Sequence, residues 1–70
     1  MENNCFGKRL RILRLERNLT QKQLAEIFNT TVWSISDWEL GNAEPKLDVV
    51  KQITKFFGVK ADYLFGICEK

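Results

Sequence analysis

The stretch from Thr20 to Gly41, TQKQLAEIFNTTVWSISDWELG, decides the fold. Thr20 with Gln23 three residues later makes a capping box, in which the threonine oxygen accepts an otherwise unpaired backbone N–H and the glutamine reaches back to the cap. A helix is therefore predicted from here to Phe28, with Leu24, Ala25, Ile27 and Phe28 turned inward. Ala25 is small enough to let another helix backbone approach closely. Asn29 and Thr30 make the break. Thr31 can cap the next helix, which continues to Leu40 and stops at Gly41, a residue suited to the positive φ needed just past a helix end. On its wheel Ile35 and Trp38 point one way, while Val32, Trp33, Ser36, Asp37 and Leu40 point the other. This helix thus presents a large outward face centred on a tryptophan, more than packing alone calls for.

Upstream, Phe6 to Arg17 holds strong helix formers and no proline, and Phe6, Leu10, Leu13 and Arg14 fall on one face of a first helix. Asn18 tolerates the left-handed conformation that ends it, and Leu19 can fold back onto the core. Ile12 and Leu15 project roughly 160° away from the core face of the same wheel. Two aliphatics on a solvent side point to a partner surface; the alternatives are cover by the last residues, such as Ile67, or plain exposure. Downstream, the loop from Gly41 to Glu44 leads into Pro45, which fits the first turn of a fourth helix because no N–H donor is needed there. That helix runs to about Phe57 with Leu47, Val50, Ile53 and Phe57 inward and Asp48, Lys51, Gln52 and Lys55 outward, and Gly58 ends it. Val59 and a short fifth helix from about Ala61 to Phe65 close the core. The expected fold class is all-α, a compact five-helix bundle. At 70 residues the chain has room for one domain, residues 1 to 70, and not for two cores.

Composition narrows the function classes. With 44% hydrophobic and 29% charged residues the chain is too apolar for disorder and too interrupted for a membrane span. Its start, MENNCFGKRL, lacks the apolar stretch of a secretory signal, so a cytoplasmic location is expected. There is no histidine, and Cys5 and Cys68 cannot alone supply a zinc site, so no metal is expected. A disulfide tying the termini is geometrically possible, but in a reducing compartment the expectation is two free thiols without a role. The missing histidine also removes the usual base at neutral pH, and no nucleophile motif or glycine-rich phosphate loop is present. Neither an enzyme nor a cofactor is expected. Charge is segregated: Lys8, Arg9, Arg11, Arg14, Arg17 and Lys22 face only Glu2 and Glu16 in the first 22 residues, whereas residues 23 to 50 hold Lys46 against Glu26, Asp37, Glu39, Glu44 and Asp48. The basic third could face phosphates or be a solvated helix face.

Two short helices separated by a tight turn, the second with an outward polar and aromatic face, match the layout in which a second helix enters the major groove of DNA. Many small bundles contain such a pair, so the layout by itself leaves a purely structural role open. The residues go further. LTQKQLAEIFNTTVWSISDWELGNAEPKLDVVKQITKFFGV resembles the Cro/CI-type, or Xre-type, helix-turn-helix domain of phage and bacterial regulators. The likeness takes in Phe6, Gly7, Leu10 and Arg14; Leu19, Thr20, Gln21, Leu24 and Ala25; Ile35, Ser36, Trp38, Glu39 and Gly41; and Pro45, Leu47, Phe57, Gly58, Val59, Asp62 and Leu64. It covers about residues 6 to 65.

The resemblance implies a sequence-specific DNA-binding transcriptional regulator, a repressor in the first instance, that binds double-stranded DNA as a homodimer with half-sites about one DNA turn apart. Gln21, at the start of the second helix, stands where such domains bond a phosphate, and the helix N-terminus there already favours an anion. Val32, Trp33, Ser36 and Asp37 occupy the base-facing positions, and Thr31 caps that helix and can touch the DNA backbone. Asn42 and Lys46 fall where the following loop and the fourth helix meet phosphates. Arg14 and Glu39 match a paired Arg and Glu that locks the first helix to the third, a structural role.

The departures from the family pattern matter as much. Such recognition helices commonly carry Arg, Lys, Gln or Asn, yet no cation stands between Val32 and Leu40, and Asp37 is added. Guanine readout by a bidentate arginine is not available there, whereas Val32 and Trp33 suit thymine methyl groups and Asp37 can accept from a cytosine amino group. Glu44 sits in the loop where a neutral or basic residue would help. Weaker nonspecific affinity is expected, and a second reading stays open: a protein-interaction module of the same fold that uses Trp33, Leu40 and their neighbours as an apolar anchor.

Overall fold

The computed structural model describes residues 5 to 66. They form α1 (Phe6–Glu16), α2 (Gln21–Ile27), α3 (Val32–Leu40), α4 (Leu47–Phe57) and α5 (Ala61–Phe65), with no strand among the described residues. The all-α five-helix bundle stands.

Local signals set most boundaries. Asn18 closes α1 at φ 57° and Asn29 closes α2 at φ 58°. Thr20 accepts the Gln23 N–H at 3.0 Å while the Gln23 side-chain oxygen accepts the Thr20 N–H at 2.8 Å, so the capping box is complete. Thr31 caps α3 by accepting the Ser34 N–H at 3.1 Å. At the other end of α3, Gly41 at φ 84° makes a Schellman closure, in which the Asn42 N–H reaches the Asp37 carbonyl at 2.9 Å. Gly58 ends α4 the same way round at φ 68°.

One core takes side chains from every helix: Phe6, Leu10 and Leu13 of α1, Leu24 and Ala25 of α2, Ile35 and Trp38 of α3, Ile53 and Phe57 of α4, and Leu64 of α5. Each large side chain so buried contributes about 1.5 to 3 kcal/mol. Phe28, Phe56 and Phe57 form a ring cluster with centroids 4.9 to 6.5 Å apart, and Arg17 lies over Phe56 and Phe57 at 5.1 and 5.2 Å. α1 and α3 approach closely at Gly7. A Cβ at Gly7 would stand 2.5 Å from the Glu39 carbonyl oxygen and 2.6 Å from that of Trp38, so only glycine fits there.

Three expectations are corrected. Ile27 and Leu47 are exposed rather than inward. Each is the terminal residue of its helix, a position for which the wheel gives a direction but no packing partner. Pro45 precedes α4 instead of lying in its first turn, since Lys46 in extended conformation (φ −69°, ψ 162°) is the N-cap. Cys5 is not a free thiol: it is buried and disulfide-bonded. The reason is geometric, because the Cys5 N–H donates to the Gly66 carbonyl at 3.2 Å and Phe6 stacks on Phe65 at 4.9 Å, which brings the two ends of the described chain together. Cys68 and Ile67 lie outside the described residues. No helix among those described is long and apolar enough to cross a membrane.

Candidate nucleic-acid interface

Glu39, on the inner flank of α3, organises the site. Its Oε2 takes the Arg14 Nε at 2.6 Å, and its Oε1 takes the Arg14 Nη2 at 3.1 Å and the Gln21 Nε2 at 3.0 Å. Arg14 Nη1 donates further to the Leu19 carbonyl at 2.8 Å, which ties down the turn before α2. One carboxylate therefore joins α1, α2 and α3. Because a carboxylate only accepts, the Gln21 amide must present its nitrogen to it, and that nitrogen keeps a second hydrogen for another acceptor. Gln21 is half-buried at the first position of α2, with its backbone N–H groups in the same first turn. An anion placed there would meet an oriented donor and the positive end of the helix.

The face of α3 is open as expected. Trp33 is 77% exposed, Val32 and Asp37 are exposed, Ser36 is partly covered, and Ile35 and Trp38 are buried beneath them. Thr31 is exposed but its hydroxyl serves the cap, donating to the Ser34 oxygen at 3.1 Å. Asn42 and Lys46 are exposed in the segment that follows. Gln21 and Ser36 border a shared cleft of about 550 Å³ that Lys8, Arg11 and Leu40 also line. Lys8 and Arg11 were not singled out from the sequence as site residues. Their three-residue spacing on α1 was a usable signal, blurred by equally basic neighbours.

The segregated positive charge is only half available. Arg14 is consumed by Glu39, Arg9 stacks over the Tyr63 ring at 4.7 Å and donates to its carbonyl, and Arg17 covers the phenylalanine cluster. Lys8, Arg11 and Lys22 remain outward in that third of the chain. Among the described residues no group of acids and cysteines is placed to hold a metal.

A helix-turn-helix family model matches residues 10–64, from the middle of α1 to the end of α5. The chain belongs to this helix-turn-helix family, of the Cro/CI or Xre type. Among curated helix-turn-helix proteins it is 44% identical over 61 residues to the transcriptional activator BcrR of Enterococcus faecalis, covering 87% of this chain and 30% of that one. It is 35% identical over 54 residues to the cryptic phage CTXphi transcriptional repressor RstR of Vibrio cholerae, covering 77% and 49%. The chain thus spans 30% and 49% of the length of these two relatives. Among solved helix-turn-helix structures, the P22 c2 repressor bound to a synthetic operator superposes with a TM-score of 0.81 at 26% identity, over 87% of this chain and 92% of that one.

Proposed function

We propose that the protein is a DNA-binding transcriptional regulator that lays α3 in the major groove of an operator half-site. The observation that carries this reading is the Glu39 hub: it fixes the N-terminus of α2, with Gln21, against an α3 whose opposite face is unobstructed. Gln21 then anchors a phosphate and sets the register, while Val32, Trp33, Ser36 and Asp37 meet base edges. Thr31, Asn42 and Lys46 add backbone contacts at the two ends of α3. Binding as a homodimer to half-sites about one turn apart follows the geometry of this motif. The relatives include both an activator and a repressor.

The test is enrichment of random-sequence duplexes on the purified protein, with affinity followed against salt. Phosphate binding must weaken steeply as salt rises. A reproducible enriched sequence together with that salt slope supports the reading; neither at low salt removes it.

A second reading is favoured by one observation: the outward face of α3 carries an exposed tryptophan and no cation. In it the same face anchors a protein partner through Trp33. Complex formation would then be nearly insensitive to salt.

A further inference from the structure

Besides Gln21 and Ser36, the α1/α3 cleft holds side chains that the DNA reading leaves unused. Its apolar part is Ile12 and Leu15 of α1, both half exposed, and Leu40 at the end of α3, 71% exposed. Its basic end is Lys8 and Arg11, one turn before Ile12 and Leu15 on the same helix face. From residue 8 to residue 15 a helix advances about 10 Å, or two turns. Of the lining residues only Glu39 is acidic, and its carboxylate is already taken by Arg14 and Gln21. The cleft therefore offers two cations, without an acidic partner among the described residues, beside three exposed aliphatic side chains. Phosphates would be served by the first group, yet would leave the aliphatic group in water.

We propose that this cleft docks an acidic amphipathic helix of a partner protein, whose apolar residues cover Ile12, Leu15 and Leu40 and whose carboxylates meet Lys8 and Arg11. The charge of the rim selects the sign of the partner, and the apolar floor distinguishes it from nucleic acid. Because Gln21 and Ser36 line the same cleft, an occupant there excludes DNA from them; this exclusion rests on the DNA-binding reading, whereas the docking does not. The partner is then a regulator that releases the protein from its operator.

The experiment uses a fluorescein-labelled synthetic helix of about four turns, leucine on one face and glutamate on the flanks, with a scrambled peptide of identical composition as control. Titrated with the whole chain, the amphipathic peptide is expected to bind saturably and the scrambled one not. Leu40→Ser and Arg11→Gln should each weaken binding by about tenfold, the loss of one anchor, whereas Leu47→Ser, an equally exposed leucine outside the cleft, should not. All three side chains are exposed, so these variants keep the fold. Equal binding of both peptides, or no effect of Leu40→Ser, overturns the proposal. So does sedimentation that shows the protein alone self-associating through Leu40, because the occupant would then be a second copy. In a parallel arm, the peptide should displace labelled duplex DNA. Peptide binding without displacement overturns the exclusion alone, and failure to bind DNA before peptide is added strikes the DNA reading without touching the docking result.

Discussion

Arg14 of α1 and Glu39 of α3 meet at 2.6 Å with side chains only 9% and 3% exposed, twenty-five positions apart in sequence. The pair is nearly dry, and the Arg14 guanidinium also holds the Leu19 carbonyl. Removing one partner strands the other charge away from water. Arg14→Met should therefore cost about 3 to 5 kcal/mol, seen as a large fall in thermal midpoint. Replacing both residues by apolar ones should recover much of that loss, since a well-packed apolar pair of similar volume is often no worse. An unchanged midpoint for Arg14→Met would contradict the structural role of the pair.

Gly7 is the second fixture of the same crossing. Its replacement by alanine adds one methyl group 2.5 Å from a backbone oxygen, and a helix backbone cannot yield as a flexible side chain can. Urea unfolding of Gly7→Ala should show a loss of about 1 to 3 kcal/mol, the usual cost of overpacking, in spite of the better helix propensity of alanine. A gain in stability would mean that α1 and α3 are further apart than described.

Gln21→Ala separates anchoring from reading. A phosphate contact carries no base information, so affinity should fall to the same degree for all duplexes while the preferred sequence stays. The measurement is a set of binding isotherms on enriched and unrelated DNA. An altered preference at unchanged affinity would place Gln21 at a base edge instead.

Much of this was legible in the sequence because it is written locally. Thr20 with Gln23, Thr31, Asn18, Gly41 and Gly58 act within one turn, and the structure uses each as expected. The burial of Phe6, Leu10, Leu13 and Arg14 followed from the wheel of a three-turn helix. The wheel failed at Ile27 and Leu47 because it gives an angle and says nothing about what stands opposite a helix end. Gln21 was read as a phosphate ligand, but its bond to Glu39 spans eighteen positions and became visible only once α2 was laid against α3. Cys5 was judged by compartment chemistry, and its closeness to Gly66, set by the α1 and α5 packing, had no local trace.

Trp33 and Asp37 are exposed, and among the described residues neither side chain makes a hydrogen bond or ion pair. Replacing both by alanine should change stability by no more than about 0.5 kcal/mol, as for ordinary surface sites. The sequence enrichment should nevertheless flatten, with salt-sensitive nonspecific binding retained. Retained enrichment would move base readout elsewhere on the molecule.

The central claim, that the exposed face of α3 enters the groove, is tested most directly by the emission of Trp33. The chain has two tryptophans, and Trp38→Phe leaves Trp33 as the sole one. Circular dichroism first verifies that this variant, changed at a buried position, still folds. Titration with an enriched duplex at low and high salt should shift or quench Trp33 emission in step with binding at low salt, and the change should vanish at high salt as the complex dissociates. If DNA demonstrably binds while Trp33 emission stays constant, α3 does not read the groove and the face belongs to a protein partner.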